Sequence, residues 1–439
     1  MYFMMKKLIL SAIFLAAAWQ QFAASGMTLL EKAIIFEYDM EQRFLLEGQA
    51  LCKLRHPQNA DDPVTYNMPD NCYMTGIYLG TMAMKYAVTQ DEKDRESAVR
   101  SLNALHLLCS VSGIPGLWSR AVLPAGQPVG DDGIWRLSED GSYQWRGDVS
   151  TDQVCGAMFG FALAHELIAD DEQKKKIGEE TAALIQHVLD NKMRIRDADG
   201  KPTQWGRYGP EYAARLEKLN ALLWLQALKT AAHTSGLPEY ADLYRSWALD
   251  QGYAQAAVRA RRLLDPAIKG AVNHSDDMLL FLGYVPLLLL ERDSEILDSV
   301  HRSVRRSWEG DEKHPGVQPE DNPFYAFIVA KYLGDTVRIE EAKNTLRWFP
   351  FDMKWNTDTR QQYEKHFQVS LALPVQSPAP EAKKTVPIDR RSRTWSAWVQ
   401  DPYHEIGSRD TDSLMEYNGH DYLLGYWTGR YCGFISPEE

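Results

Sequence analysis

Three stretches of the sequence gather side chains able to move protons or grip polar ligands. In Trp145-Arg146-Gly147-Asp148 a carboxylate follows an aromatic ring and a guanidinium, and Asp152 comes four residues later. In Asn273-His274-Ser275-Asp276-Asp277 an imidazole sits beside two carboxylates. Two carboxyl groups can divide acid and base work across a glycosidic bond, while a histidine suits proton abstraction near neutral pH. On this reading Asp148 and either Asp276 or Asp277 form a catalytic pair, with His274 as an alternative base. The third stretch, Trp205-Gly206-Arg207-Tyr208, offers rings for stacking and an arginine for a carboxylate ligand, as do Arg120 and Arg146 in their loops. Trp145, Arg146, Asp152, Asn322, Tyr325, Tyr417 and Asp421 complete the expected substrate contacts. Helix capping competes for several of these positions. Ser150 or Thr151, Ser275, Asn322 and Asp412 are residue types that cap helices, and Asp276 and Asp277 suit a first turn. Capping does not explain the aromatic company, nor the run ahead of Ser150.

These residues fall at junctions in a helical pattern. Apolar residues recur at three- and four-residue spacing over 27–54, 74–88, 92–112, 150–169, 172–193, 212–234, 238–264, 275–291, 293–309, 323–334, 336–346 and 412–430, with almost no strand signal. Tight links alternate with long ones at 55–73, 113–149, 194–211, 265–274, 310–322 and 347–411. Composition alternates in step. Segments after long loops, such as MLLFLGYVPLLLL, are apolar on most sides; their partners, such as DEQKKKIGEETAALIQHVL, carry a charged face. A helix apolar all round is buried, and one with a charged face lies outside. The chain therefore predicts an all-α fold, an (α/α)6 toroid of six helical hairpins forming a single domain over 26–439, with its long loops at one end. Inner helices are expected to start near 74, 150, 212, 275, 323 and 412. Residues 113–149 could form a small hairpin, and the Pro/Ala/Lys stretch 371–391 reads as an extended, exposed linker.

Composition narrows the class. The 439 residues carry 48 Lys and Arg against 60 Asp and Glu, a net charge of −12, with 45% hydrophobic and 25% charged residues. That is ordinary globular usage, and the acidic balance argues against a nucleic-acid partner. Lys6 and Lys7, the apolar run Leu8–Trp19 and the small residues Ala23-Ala24-Ser25 read as a cleaved signal peptide over 1–25, placing the mature protein in the periplasm or outside the cell, with no membrane insertion. Export permits disulfides, and Cys52 and Cys72 could pair, although five cysteines is an odd count. Asp197-Ala-Asp-Gly200 is half a calcium loop without its remaining ligands, so a turn is expected there, and no metal or cofactor is expected anywhere.

The hairpin count and the acid-and-aromatic junctions resemble the six-hairpin glycosidase superfamily, which includes glucanases, unsaturated uronyl hydrolases and related lyases and epimerases. More narrowly, RGDVSTDQVCGAMFGFAL, DADGKPTQWGRYGPE and YNGHDYLLGYWTGRYCGFI resemble a set of exported bacterial proteins of unestablished function. The resemblance implies an oligosaccharide or polysaccharide ligand. It leaves three readings: a glycoside hydrolase working through two carboxylates; a uronate lyase or epimerase with His274 or Tyr208 as base and Arg146 or Arg207 on the uronate; and a glycan-binding or scaffold protein without catalysis. Cleavage is expected near Ser25–Gly26, so the mass of the mature exported chain should lack residues 1–25; an intact N-terminus on membrane-bound protein would contradict this.

Overall fold

Six helices carry apolar residues around nearly their whole circumference: Asn71–Thr89, Thr151–Leu167, Lys218–Ser235, Ser275–Leu290, Pro323–Leu333 and His420–Tyr431. Such helices have no face to give to water. In the computed structural model each packs on the next in sequence, and the last packs on the first, closing a ring. The model describes residues 26–59, 61–213, 218–262, 273–312, 314–394, 396–403 and 414–439. The expected signal segment and the cap expected at Asp412 lie outside them.

Amphipathic helices surround the ring: Leu29–Asp39, Glu92–Ser110, Asp171–Asp190, Pro238–Arg245, Ser294–Glu309 and Ile339–Trp348. Leu29–Asp39 packs on His420–Tyr431, so the first outer helix completes the last hairpin. The fold is the all-α toroid that the alternation of links predicts. Among the described residues no helix is long and apolar enough to cross a membrane.

Several expected elements differ in detail. The segment 27–54 stops being helical at Phe44, because Glu47 and Gly48 adopt positive φ in a tight turn between strands Leu45–Leu46 and Gln49–Ala50. Gly48 is obligatory there: a Cβ would lie 2.3 Å from the Arg100 carbonyl oxygen. The segment 238–264 breaks at Gly252, whose φ is 72°. The last inner helix begins at His420 rather than near 412. Short antiparallel strands build the long loops, where the sequence pointed only to a hairpin within 113–149 and a turn at Asp199-Gly200. One three-stranded sheet places Tyr143–Arg146 between Ala121–Pro124 and Trp135–Leu137. That corrects the role expected of Trp145: a central strand turns its ring into the core, where it is only 2% exposed. Arg146 is likewise engaged, donating to Asp131 at 2.7 Å.

The stretch 371–391 is extended but not a free linker. Leu371, Val386, Ile388, Asp389 and Arg391 are buried, and Asp389 accepts from the backbone N–H groups of Gln376 and Ser377. All five cysteines are free and buried, so Cys52 and Cys72 do not pair. Cys52 instead donates to Asn71 Oδ1 at 3.4 Å.

The tightest contact in the ring joins the first two inner helices through glycine. A Cβ on Gly76 would lie 2.1 Å from the Gly156 carbonyl oxygen, and one on Gly156 would lie 2.5 Å from that of Tyr73. Backbone on both sides leaves nothing that can yield cheaply. In an open helix Gly→Ala stabilises by roughly 1 kcal/mol. Here Gly156→Ala should reverse that sign and destabilise by about 1–3 kcal/mol, measured by denaturant unfolding; a stabilised variant would contradict the packing.

Candidate active site

The inner helices begin at one end of the ring, and the long loops gather their polar residues there. Asp70 and Asp152 belong to the start of the first two inner helices, Asp70 just before Asn71 and Asp152 in the first turn after Ser150. Ser150 and Gln153 form a reciprocal capping box, so the cap of that helix is filled without Asp152. Gln153 also reaches across, its Nε2 donating to Asp70 Oδ1 at 2.8 Å. Arg120 Nη1 lies 3.4 Å from the same oxygen and also donates to the Pro69 carbonyl. Asp70 caps nothing, and 30% of its side chain reaches solvent at the bottom of a crowded mouth.

Burial pushes Asp152 up to about 6, with the Asp70 charge adding to the effect and Arg120 opposing it. A first-turn carboxylate normally benefits from the helix dipole; desolvation and the neighbouring acid outweigh it. Burial raises Asp70 as well, against the pull of Arg120, Arg146 and Lys53. The Asp152 charge is felt by Tyr73, Tyr208 and Cys155. Tyr208 is fully buried, and its hydroxyl has no hydrogen-bond partner among the described residues. Tyr253 holds it in place by donating to the Tyr208 carbonyl at 2.6 Å.

A second acidic cluster stands at the fourth and fifth inner helices. Arg262 Nη1 lies 2.8 Å from His274 Nδ1, 3.0 Å from Asp277 Oδ2 and 3.0 Å from Glu320 Oε1. Because a guanidinium only donates, His274 accepts at Nδ1, and its Nε2 lies 3.6 Å from Asp401. Burial drives Asp277 well above the ordinary carboxylate range, Arg262 opposing and Glu320 adding; burial raises Glu320 too. His274, Asp277 and Glu320 bring ligand atoms within 4.8 Å of one another, but Arg262 already supplies their cation. Burial raises Tyr325, and Asp277, Glu320 and Tyr73 add to the effect. The Tyr325 ring stacks on Phe281 with centroids 4.1 Å apart.

The other expected residues take different posts. Asp148 adopts a φ of 59°, its Oδ1 accepting from the Gln204 N–H at 2.8 Å and its own N–H donating to Asp197. The carboxylate pins the 194–207 hairpin to the mouth. Asp152 lies within electrostatic reach of Asp70, and Arg262 bridges Asp277 and Glu320. Asp276 accepts from Asn273 Nδ2 at 3.0 Å. Asn322 caps its helix through the Tyr325 N–H. Asp421 is removed from ligand contact by Lys354 at 2.5 Å and the Ala397 N–H, both buried. Tyr417 lies in the strand Met415–Tyr417, half-buried, its N–H donating to the Lys354 carbonyl. Trp205 remains exposed at 43%, with the Arg207 guanidinium 5.8 Å from its ring centre.

Asp70, Tyr73, Arg262 and Glu320 were not singled out by sequence reasoning. Asp70 and Glu320 lie in junctions of the kind that drew attention, so position was their available signal; Arg262 fell inside a segment read as helix.

No protein-family model matches the chain, and no curated protein matches its sequence. Among solved structures it is similar to an unsaturated glucuronyl hydrolase specific for heparin, at 13% identity and a TM-score of 0.42, covering 92% of this chain and 95% of that one. It is similar to a sugar epimerase from a ruminal bacterium, at 11% identity and a TM-score of 0.44, covering 92% and 96%. It is also similar to Bacteroides ovatus GH9, at 11% identity and a TM-score of 0.42, covering 93% and 83%. At these identities the likeness is one of fold.

The raised Asp152 carboxyl has a consequence for stability. The folded state binds its proton more tightly than the unfolded chain, so its contribution is full below about pH 4 and is lost as pH rises through about 6. Asp152→Asn should therefore stabilise the protein at pH 7.5 by on the order of 1–2 kcal/mol and converge on wild type near pH 4. Melting curves at the two pH values check this; a variant less stable at pH 7.5 would contradict it.

Proposed function

We propose that this chain is an exported carbohydrate-active enzyme of glycoside hydrolase type, with Asp152 as its general acid and Asp70 as the second carboxylate. The observation that carries the reading is the Asp152 carboxyl, held up to about 6 beside a second carboxylate at the mouth of the ring. A general acid must keep its proton at working pH, and two neighbouring carboxyls in a partly dry cleft divide the roles. Asp152 would protonate the departing glycosidic oxygen. Asp70, with its charged form supported by Arg120 and Gln153, would activate water or attack the anomeric carbon. Exposed Trp205 offers a flat face for a sugar ring, and Tyr73 and Tyr208 wall the acid. The sequence resemblance to six-hairpin glycosidases supports the same ligand class.

The lyase or epimerase reading loses its bases. Arg262 occupies His274 Nδ1, and burial raises Tyr208 well above the ordinary phenol range, which disfavours the phenolate.

Purified protein offered a panel of neutral and acidic oligosaccharides should release reducing sugar from at least one. Asp152→Asn should then lower kcat by about 10²–10⁴-fold, and wild-type kcat/KM should fall as pH rises above about 6. Ligand binding without turnover would favour the glycan-binding reading, and full activity in Asp152→Asn would remove this residue from the chemistry.

A further inference from the structure

At the opposite end of the ring, where the second and third inner helices finish, two histidines converge on one carboxylate. His165 Nδ1 lies 2.8 Å from Glu166 Oε1, and His233 Nε2 lies 2.7 Å from the same oxygen. The ligand atoms of all three residues fall within 4.8 Å of one another. The imidazole rings meet edge to face, centroids 5.2 Å apart. His165 and Glu166 close the helix Thr151–Leu167, and His233 lies in the last turn of Lys218–Ser235.

We propose that His165, Glu166 and His233 form a binding site for a late first-row divalent metal ion, Zn2+ foremost, that clips these two helices together. Two imidazoles and one carboxylate are the donor set such ions favour, and neither Ca2+ nor Mg2+ prefers it. Ligands around tetrahedral zinc stand roughly 3.3 Å apart, given Zn–N and Zn–O distances near 2.0–2.1 Å. The carboxylate need only swing back by about half an ångström to admit the ion. Nothing encloses it tightly, since its side chain is 34% exposed. Water could complete the coordination from that open side.

Two of the three groups carry the net charges that ligation requires, and each imidazole ligates once its proton moves to the ring nitrogen facing away from Glu166. Burial, against the pull of Glu166, holds His165 below its ordinary value, leaving a neutral ring at pH 7. Burial works to raise Glu166, but the hydrogen bonds from His165 and His233 outweigh it and keep the carboxylate ionised. The helix ends give the site a mechanical consequence. The second inner helix carries Asp152 at its other end, so the clip would brace the element that positions the candidate acid.

The test uses the full mature chain without any affinity tag, stripped with chelator and titrated with zinc chloride by calorimetry. Wild type should bind one equivalent with micromolar or tighter affinity and melt at a higher temperature when zinc is present. His165→Ala and His233→Ala should each weaken binding by about a hundredfold and abolish the zinc-dependent rise in Tm. His233 is 35% exposed, so His233→Ala should match wild type in chelator; His165 is only 14% exposed, so its variant is compared with itself with and without zinc. Cobalt in place of zinc should add the visible absorption of a four-coordinate ion to wild type alone. Absence of binding at micromolar zinc, or binding that survives both substitutions, would overturn the proposal.

Discussion

Backbone meets backbone where Gly76, Gly156 and Gly160 face one another, and the placement of the acids at the mouth depends on that contact. A Cβ at any of the three would intrude to within 2.5 Å of the facing helix's carbonyl oxygen. The helices therefore run side by side at a spacing that no larger residue allows. Asp152 lies one turn ahead of Gly156, and Tyr73 nearly one turn ahead of Gly76, so close approach at the glycines brings the helix starts together. Gln153 then fits between them, capping its own helix and donating to Asp70. Asp152 is desolvated there and lies within electrostatic reach of Asp70. The raised Asp152 follows from that placement.

The buried charges of this chain divide into two kinds. Lys32 buries its ammonium at the end of the helix Ile339–Trp348, donating to the Leu346, Arg347 and Phe349 carbonyls. Lys354 and Asp421 neutralise each other and fasten the loop around Ala397 to the last inner helix. These groups are saturated with partners, and their work is structural. At the mouth, burial outweighs the pull of the neighbouring cations on the carboxyls. Asp70 and Asp152 share Arg120, while Asp277 and Glu320 share Arg262. Such a balance costs stability that better-paired residues would return, and sites that do chemistry are where proteins accept that cost.

The architecture could be read from the sequence because helix burial writes itself into composition. MLLFLGYVPLLLL has no polar face and became an inner helix; DEQKKKIGEETAALIQHVL has one and became an outer helix. The loops were less legible. Strands of two to six residues carry too few positions for an alternating pattern, so the sequence pointed to a hairpin within 113–149 but not to the three-stranded sheet that buries Trp145. The site was legible only to the level of its junctions. Asp152 and Asp277 were picked out, Asp152 as a substrate contact and Asp277 as a partner for Asp148, but their neighbours Asp70 and Glu320 were not, because which junctions meet across a ring depends on helix packing. Asp148 drew notice through Trp145 and Arg146, and those neighbours turned out to serve a strand. No periodicity marks Arg262 as the cation for three groups drawn from two other segments.

The central claim is that burial, with the Asp70 charge adding to it, holds the Asp152 carboxyl protonated into the range where a general acid works. Titrating the protein labelled with carboxyl-13C aspartate by NMR, with Asp152→Asn to assign the resonance, measures this without any substrate. The account predicts a midpoint near 6 for Asp152 in wild type and a lower one in Asp70→Asn. A midpoint near 4 in both proteins, the value of an ordinary solvated aspartate, would contradict it.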